Sequence, residues 1–578
     1  MVERKAGAAY QRPALLFASL RGWTPTQGGG DLLAGLTLAA ITIPEQMATA
    51  KLGGFPPQIG FYAFIGATVG FAALVASRVL TPGADSTITP IFAGVLAALA
   101  AAGVGGAGGA DAMAALQAAA VALALLVGGL LVVAGLLKLG WIAHLLSTPV
   151  ITGFFAGIAV HILVSQLPSL FGIAKGAGPL WAQVMAIVRG LPAANPFAIA
   201  IGLGVLALML VTERISARIP GALIGLVAAT LLVLVFDLER RGVAVLGALP
   251  GGLPHPTMPA LADLLQLLPL ALIVTIVIMM QAATVVHSFA AADAAAAGEP
   301  GREPDLNRDF VGLGAGNLLA ALLGAFPVNA SPPRTAVVVE SGARSQLAAL
   351  VAAAVVLVVV LWGRGLLAHV PEAALAGVLL FVAQRIVHVA VITRLLREAP
   401  RECVLVGFTA AAIIVLPIET GMAIGIGLSL LHGVWMTLHT RPVELQKLPG
   451  TTVWWPPGRG ETGERQADVA VIAFQAPLLF ANAQAFKRGM IDTIAARDGV
   501  RVVVLEASGI ADIDFTAAHA LADLVTHCRD ANIRFAIARL ESVRARSAVE
   551  RFGVLAELGP ERVFHSVEEA VRSLAPRV

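Results

Sequence analysis

The sequence predicts an α-helical polytopic membrane protein of about fourteen passes, arranged as two inverted sets of seven and followed by a small α/β domain. Three observations carry this prediction. Of 578 residues, 58% are hydrophobic and 13% charged, with a mean hydropathy of +0.85, outside the usage of soluble globular domains. Two stretches, GADST at 83–87 and SPPRT at 331–335, read as helix starts set inside apolar sequence. Beyond residue 441 the apolar runs give way to alternating strand and helix patterns.

The formal net charge of +3 points neither to nucleic acid nor to a strongly charged partner. Cys403 and Cys528 are the only cysteines, one in an apolar segment and one in the polar C-terminal region, so there is no disulfide framework and no metal-ligand spacing. Arg4, Lys5, Arg12 and Arg21 precede the first apolar run without a small-residue cleavage site after them, which reads as a cytoplasmic start.

Apolar runs between Asp31 and Thr440 group into the fourteen passes at roughly 20 residues per full span. An even count from a cytoplasmic start puts Arg78, Lys138, Arg214, Arg302, Arg344, Arg394 and Arg441 on inside turns, as the positive-inside rule asks, whereas Arg240, Arg241 and Arg364 fall outside. Residues 1–30 are expected to form a cytoplasmic segment, 31–440 the transmembrane domain, 441–467 a Pro/Gly-rich linker and 468–578 the α/β domain, which the topology places in the cytoplasm.

The two halves share an order. TIPEQMATAKLGGFPP, a broken-helix candidate, is followed by an apolar run and the start at 83–87; LIVTIVIMMQAATVVHSFA, carrying Gln281, is followed by an apolar run and the start at 331–335. Seven passes per half is odd, so the second copy enters from the opposite side. A helix that starts inside protein aims unpaired N–H groups and its positive dipole end at whatever lies there, and an anion answers both.

With these pieces the chain resembles the SulP, or sulfate permease, family of anion transporters, whose membrane domain carries a C-terminal STAS domain. The resemblance runs nearly end to end, through TIPEQMATAKLGGFPPQIGFYA, SPPRTAVV, PEAALAGVLLF from Pro371, PIETGMAIGIGLSLL from Pro417, PLLFANAQAFK and DIDFTAAHAL. It implies core and gate subdomains, an anion site between the third and tenth helices, cytoplasmic termini and a homodimer.

Arg334 lies just inside the second helix start, where an arginine at membrane depth costs roughly 2.5–3.5 kcal/mol on insertion scales. By resemblance it is the basic residue beside the anion; the alternative is a structural arginine bonded to carbonyls or to Asp85. Ser331 reads as an N-cap before proline or as a substrate contact, and Ser86, Thr87 and Thr335 as hydroxyl donors to an anion or to their own backbone. Asp85 departs from the uncharged residue common in the family. It either caps its helix or faces the substrate, pairs with Arg334 and favours a monoanion, a zwitterion or a coupled cation.

Glu45 follows Pro44 in apolar surroundings, which favour the protonated carboxyl and suit a proton-coupling role, as in proton-coupled bacterial relatives that carry an acid there. Gln281 stands where the family commonly has an acid, so it can bond a ligand but not carry a proton, leaving Glu45 and Asp85 as coupling candidates. His161, His287 and His388 read as packing residues. In the α/β domain Thr516 occupies the loop that, by resemblance, is phosphorylated in bacterial anti-sigma antagonists, and the better reading of it is a cap of the helix TAAHALADLV.

No nucleophile, base and orienting set marks an enzyme, and no cofactor is implied. The expected function is secondary active transport of a small anion, namely sulfate, bicarbonate or a dicarboxylate, with a proton or sodium as coupling ion. The expected setting is the lipid bilayer of a bacterial inner membrane, with a cytoplasmic protein as possible partner of the STAS domain. The alternatives are a nucleobase-permease-like carrier and a membrane anion sensor signalling through that domain.

Overall fold

The structure is a computed structural model that describes residues 16–20, 25–75, 77–101, 112–144, 147–176, 178–216, 219–247, 261–299, 301, 303–438, 440–458 and 463–574. The N-terminal segment expected over 1–30 lies largely outside the described residues, as do Arg218 and Arg302. The chain divides into two compact units, Met1–Ser429 and Leu430–Val578.

In the first unit the helices run α1 (Pro25–Leu52), α2 (Pro57–Leu74), α3 (Thr89–Ala101), α4 (Ala112–Leu136), α5 (Thr148–Phe171), α6 (Leu180–Gly190), α7 (Pro196–Ile215) and α8 (Gly221–Val235). They continue with α9 (Leu261–Ser288), α10 (Ala290–Ala297), α11 (Leu306–Leu322), α12 (Pro332–Glu340), α13 (Leu347–Trp362), α14 (Arg364–Leu367), α15 (Glu372–Ile386), α16 (Val389–Glu398), α17 (Pro400–Val415) and α18 (Ile418–Leu438), the last of which crosses the boundary at Ser429. Among the described residues, seven helical spans are long and apolar enough to cross a bilayer, with shorter apolar helices such as α3, α8 and α13 between them.

Two series of seven emerge when α1, α2, α3, α4, α5, α7 and α8 are set beside α9, α11, α12, α13, α15, α17 and α18. Like positions make like contacts: α1 packs on α13 as α9 packs on α4, α5 packs on α17 as α15 packs on α7, and α2 meets its own counterpart α11. The amphipathic helices α6 and α16 take the same place in each series. Such exchange of partners is what a pseudo-two-fold axis produces. The α2–α11 crossing is close because its residues are small. A Cβ on Gly66 would stand 2.6 Å from Ala320 Cα, and one on Gly70 2.5 Å from the Ala315 oxygen.

One expectation is corrected here. TIPEQMATAKLGGFPP is not a broken helix; α1 runs through Pro44 unbroken. A proline removes one hydrogen bond and bends a helix, and packing on both sides absorbs that. The helix ends instead at Gly54, whose φ of +81° permits a left-handed cap in which Phe55 N–H bonds the Ala50 carbonyl at 2.9 Å.

The helix start read at 83–87 is likewise displaced. Pro82–Gly83 forms β1, residues 86–88 a turn, and α3 begins at Thr89. The second half repeats this with β2 (Asn329–Ala330) leading into α12. The two strands pair antiparallel, Pro82 opposite Ala330 and Gly83 opposite Asn329, so the two half-helices are tied at their origins.

The second unit is a six-stranded sheet in the order β4-β3-β5-β6-β7-β8, formed by β3 (Val443–Lys447), β4 (Trp454–Trp455), β5 (Val469–Ala473), β6 (Val502–Glu506), β7 (Arg534–Ala538) and β8 (Val563–Phe564). Strands β5 to β8 are parallel and joined through α19 (Ala483–Ala495), α20 (Phe515–Asp530), α21 (Val543–Arg551) and α22 (Val554–Leu558), with α23 (Val567–Leu574) last. The stretch expected as a linker over 441–467 holds β3 and β4, β3 pairing antiparallel with β5. Its Pro and Gly content masks a strand whose stability comes from a sheet partner rather than from local propensity.

Candidate functional site

The site forms where α1, the β1–β2 pair and the starts of α3 and α12 converge. Ser331 precedes Pro332 and Pro333, whose fixed φ and missing N–H groups suit the first turn of α12. That geometry carries Arg334 inward. Its side chain is fully buried, with Nη1 donating to Glu45 Oε1 at 2.8 Å and to the Ala84 carbonyl at 3.0 Å. Nε and Nη2 are buried with no hydrogen-bond partner among the described residues. Glu45 lies on α1, 289 positions away in sequence, and its side chain is 12% exposed.

Thus the partner of Arg334 is Glu45. Asp85, the pairing considered from sequence, turns to its own chain instead: its Oδ1 accepts from Thr87 N–H at 2.8 Å and from the Thr87 hydroxyl, and its carbonyl accepts from Thr89 N–H at 3.1 Å. This is the capping alternative, with the carboxylate at the positive end of α3.

Gln281, on α9, donates through Nε2 to Thr87 Oγ1 at 2.8 Å, and its Oε1 accepts from Asn329 Nδ2. Asn329, Gln281, Thr87 and Asp85 therefore form a continuous chain of donors and acceptors from β2 to the turn before α3. Thr335 spends its hydroxyl on the Thr81 N–H at 3.2 Å. Ser331 is buried and makes no side-chain cap, while its N–H bonds the Thr81 carbonyl at 3.1 Å. Ser86 is buried beside Asp85.

Sequence reading missed Gln46 and Asn329. Gln46 grips the Ala84 backbone from both sides, Oε1 accepting from the N–H at 2.8 Å and Nε2 donating to the carbonyl at 3.1 Å. A second polar residue beside Glu45 in an apolar helix was the available signal, as was an asparagine two residues ahead of Ser331. At the far end of α1, Lys51 pairs with Glu372 at the start of α15, joining the first series to the second.

Electrostatically the site holds one guanidinium, two carboxylates and the positive ends of two helices worth roughly +0.5 charge each. Two charge-bearing donors of Arg334 are buried without a partner among the described residues, and an unsatisfied buried polar group costs roughly 1–3 kcal/mol, more when charged. Two helical series that exchange partners, with half-helices meeting over a buried cation, are the architecture of membrane transporters built from inverted repeats.

The comparisons name the family. The model of the sulfate permease family matches residues 29–409, and that of the STAS domain residues 463–570. The chain belongs to the sulfate permease family, a family of anion transporters and not of enzymes. It is 33% identical over 556 residues to a probable sulfate transporter of Mycobacterium tuberculosis, covering 95% of each chain. In fold it is similar to the murine solute carrier 26 family member A9 anion transporter in the inward-facing state, with a TM-score of 0.87 at 20% identity, covering 99% of this chain and 96% of that one. The transmembrane domain of the cyanobacterial bicarbonate transporter BicA matches with a TM-score of 0.57 at 24% identity, over 71% of this chain and 98% of that one.

Proposed function

We propose that the protein is a secondary active carrier for a small oxygen-bearing anion, namely sulfate, bicarbonate or a dicarboxylate, coupled to protons through Glu45. The observation that carries this reading is Arg334, fully buried at the start of α12 with Nε and Nη2 unpartnered. Those two nitrogens lie on one edge of the guanidinium, the fork that takes two oxygens of one anion. Sulfate as substrate is supported by the name of the mycobacterial relative, and bicarbonate by that of the cyanobacterial one.

Coupling follows from charge arithmetic. With Glu45 ionised, Arg334 is already neutralised by its partner at 2.8 Å. An arriving anion and Glu45 compete for the same cation, and a proton on Glu45 resolves the competition. The half-helices then carry anion and proton together as the core moves against the gate, exposing the site to each side in turn. Asp85, committed to its turn, is the weaker coupling candidate, and Gln281, Thr87, Ser86, Ser331 and Thr335 shape the site around the anion.

The same reading places the protein in a bacterial cell membrane as a homodimer with both termini in the cytoplasm, and gives the STAS domain a cytoplasmic protein partner. Thr516 is exposed on α20, as a regulatory phosphorylation site has to be. The test is uptake of labelled sulfate, bicarbonate, fumarate and a neutral nucleobase into liposomes holding the purified protein, with and without an inward proton gradient. Uptake of one anion that rises with the gradient supports the reading; gradient-independent uptake of a neutral nucleobase and of no anion contradicts it.

A further inference from the structure

We propose that Gln46 is a positioning residue for anion binding, acting through the Ala84 carbonyl to hold the Arg334 guanidinium with its free edge toward the substrate. The proposal rests on the carrier reading above.

Among the described residues strand β1 has a partner strand on one edge, where it meets β2. On the chain immediately after it, the Gln46 amide takes the place of a third strand. It accepts from Ala84 N–H at 2.8 Å and donates to Ala84 O at 3.1 Å, a donor–acceptor pair like that of a neighbouring peptide. Gln46 is itself fully buried, so neither bond competes with water. Ala84 O then serves two donors, Gln46 Nε2 and Arg334 Nη1.

Arg334 Nη1 is held between that carbonyl and Glu45 Oε1. With Nη1 fixed at two points and the guanidinium planar, the direction of the opposite edge is fixed as well. Gly83 is where these groups meet: a Cβ there would stand 3.0 Å from the Phe64 ring, 3.1 Å from Arg334 Nη2 and 3.2 Å from Gln46 Oε1. Glu45 sets the net charge of the pair it forms with Arg334, and Gln46 sets the direction of the guanidinium. The two neighbours on α1 thus divide the work.

The test compares Gln46→Leu and Gln46→Glu with the wild type in proteoliposomes, using labelled sulfate from pH 8 to pH 5, together with hydrogen–deuterium exchange over residues 80–88. Leucine fills the space without bonding. Its expected effect is a rise of about tenfold in KM for sulfate with a smaller change in maximal rate, and faster exchange at the Ala84 amide. A protonated glutamic acid has one donor and one acceptor, as the amide does, whereas the ionised form has no donor for Ala84 O. The Gln46→Glu variant is therefore expected to have a raised KM at pH 8 that approaches the wild-type value at the same pH as the pH falls.

Unchanged exchange at Ala84 in Gln46→Leu overturns the proposal, as does a wild-type KM in that variant. A Gln46→Glu KM that stays at a constant ratio to wild type across the pH range also overturns it. The exchange arm needs no substrate, so a wild type that transports no anion would contradict the carrier reading while the Ala84 clip is judged by exchange alone.

Discussion

Arg334 donates from Nη1 to Glu45 Oε1 at 2.8 Å, joining the first turn of α12 to the last third of α1 and placing a fully buried arginine beside a carboxylate from the other half of the chain. A buried pair of this kind is costly to break from one side, because the survivor keeps its charge without a partner, at about 3–5 kcal/mol. Under the proposed function the arriving anion takes the Nε and Nη2 edge of Arg334 and competes with Glu45 for its charge.

Glu45→Gln keeps the shape and an acceptor for Nη1 but removes the titrating group. Sulfate uptake is expected to persist and to lose its dependence on an inward proton gradient. Stimulation by the gradient equal to that of the wild type would remove Glu45 from the coupling step.

Gly83→Ala adds a methyl group where the Phe64 ring, Arg334 Nη2 and Gln46 Oε1 already stand within 3.2 Å. Overpacking of this kind costs about 1–3 kcal/mol. The expected outcome is a lower thermal midpoint and a raised KM for sulfate, measured on the same preparation. Wild-type values of both would mean that the β1 segment yields more readily than the packing implies.

Helix α20 is capped by Asp514, whose Oδ1 accepts from Ala517 N–H at 2.9 Å and whose Oδ2 accepts from Phe480 N–H at 2.6 Å. Thr516, read as the cap from sequence, sits exposed two residues further in. Asp514→Ala is expected to destabilise the C-terminal domain by about 0.5–2 kcal/mol, and Thr516→Ala by far less. Denaturant unfolding of the two variants measures the difference, and equal losses would return the capping role to Thr516.

Burial alone would favour the neutral form of Glu568, but Lys447 at 3.0 Å, the Trp454 indole N–H and Arg572 outweigh it and hold the carboxyl below its ordinary value. A carboxyl depressed on folding contributes stability that is complete above the unfolded value of about 4.3 and is lost as pH falls through the lower folded one. The attachment of α23 to β3 and β4 is therefore expected to loosen below about pH 4. In Glu568→Gln that acid dependence should flatten, as read by limited proteolysis of the C-terminal helix; an unchanged profile would assign it to other groups.

What was legible in the sequence follows the range of the interactions. Ser331 before two prolines and an arginine is a local signal, and α12 begins there. The start at 83–87 was displaced by a two-residue strand whose partner lies some 250 residues away, which no local pattern announces. The Glu45–Arg334 pair was hidden for the same reason, since Asp85 and Arg334 are the charges that stand at the two helix starts, whereas Glu45 reaches the site from inside a continuous helix. Gln46 and Asn329 belong to no motif, and their roles exist only once β1 and β2 are paired. Pro44 misled in the opposite sense, because the cost of a proline is local and the packing that absorbs it is not. The two series of seven were readable because span length and order survive divergence of the residues themselves.

The measurement that bears most directly on the central claim is sulfate uptake by purified, reconstituted Arg334→Ala and Arg334→Lys beside the wild type, each checked for folding by thermal melting. Loss of two charge-assisted hydrogen bonds at roughly 1.5–3 kcal/mol each corresponds to at least about a hundredfold in apparent affinity. The account predicts that loss in Arg334→Ala, with a folded protein, and partial recovery in Arg334→Lys, which restores the charge without the fork. Wild-type uptake by folded Arg334→Ala would contradict it.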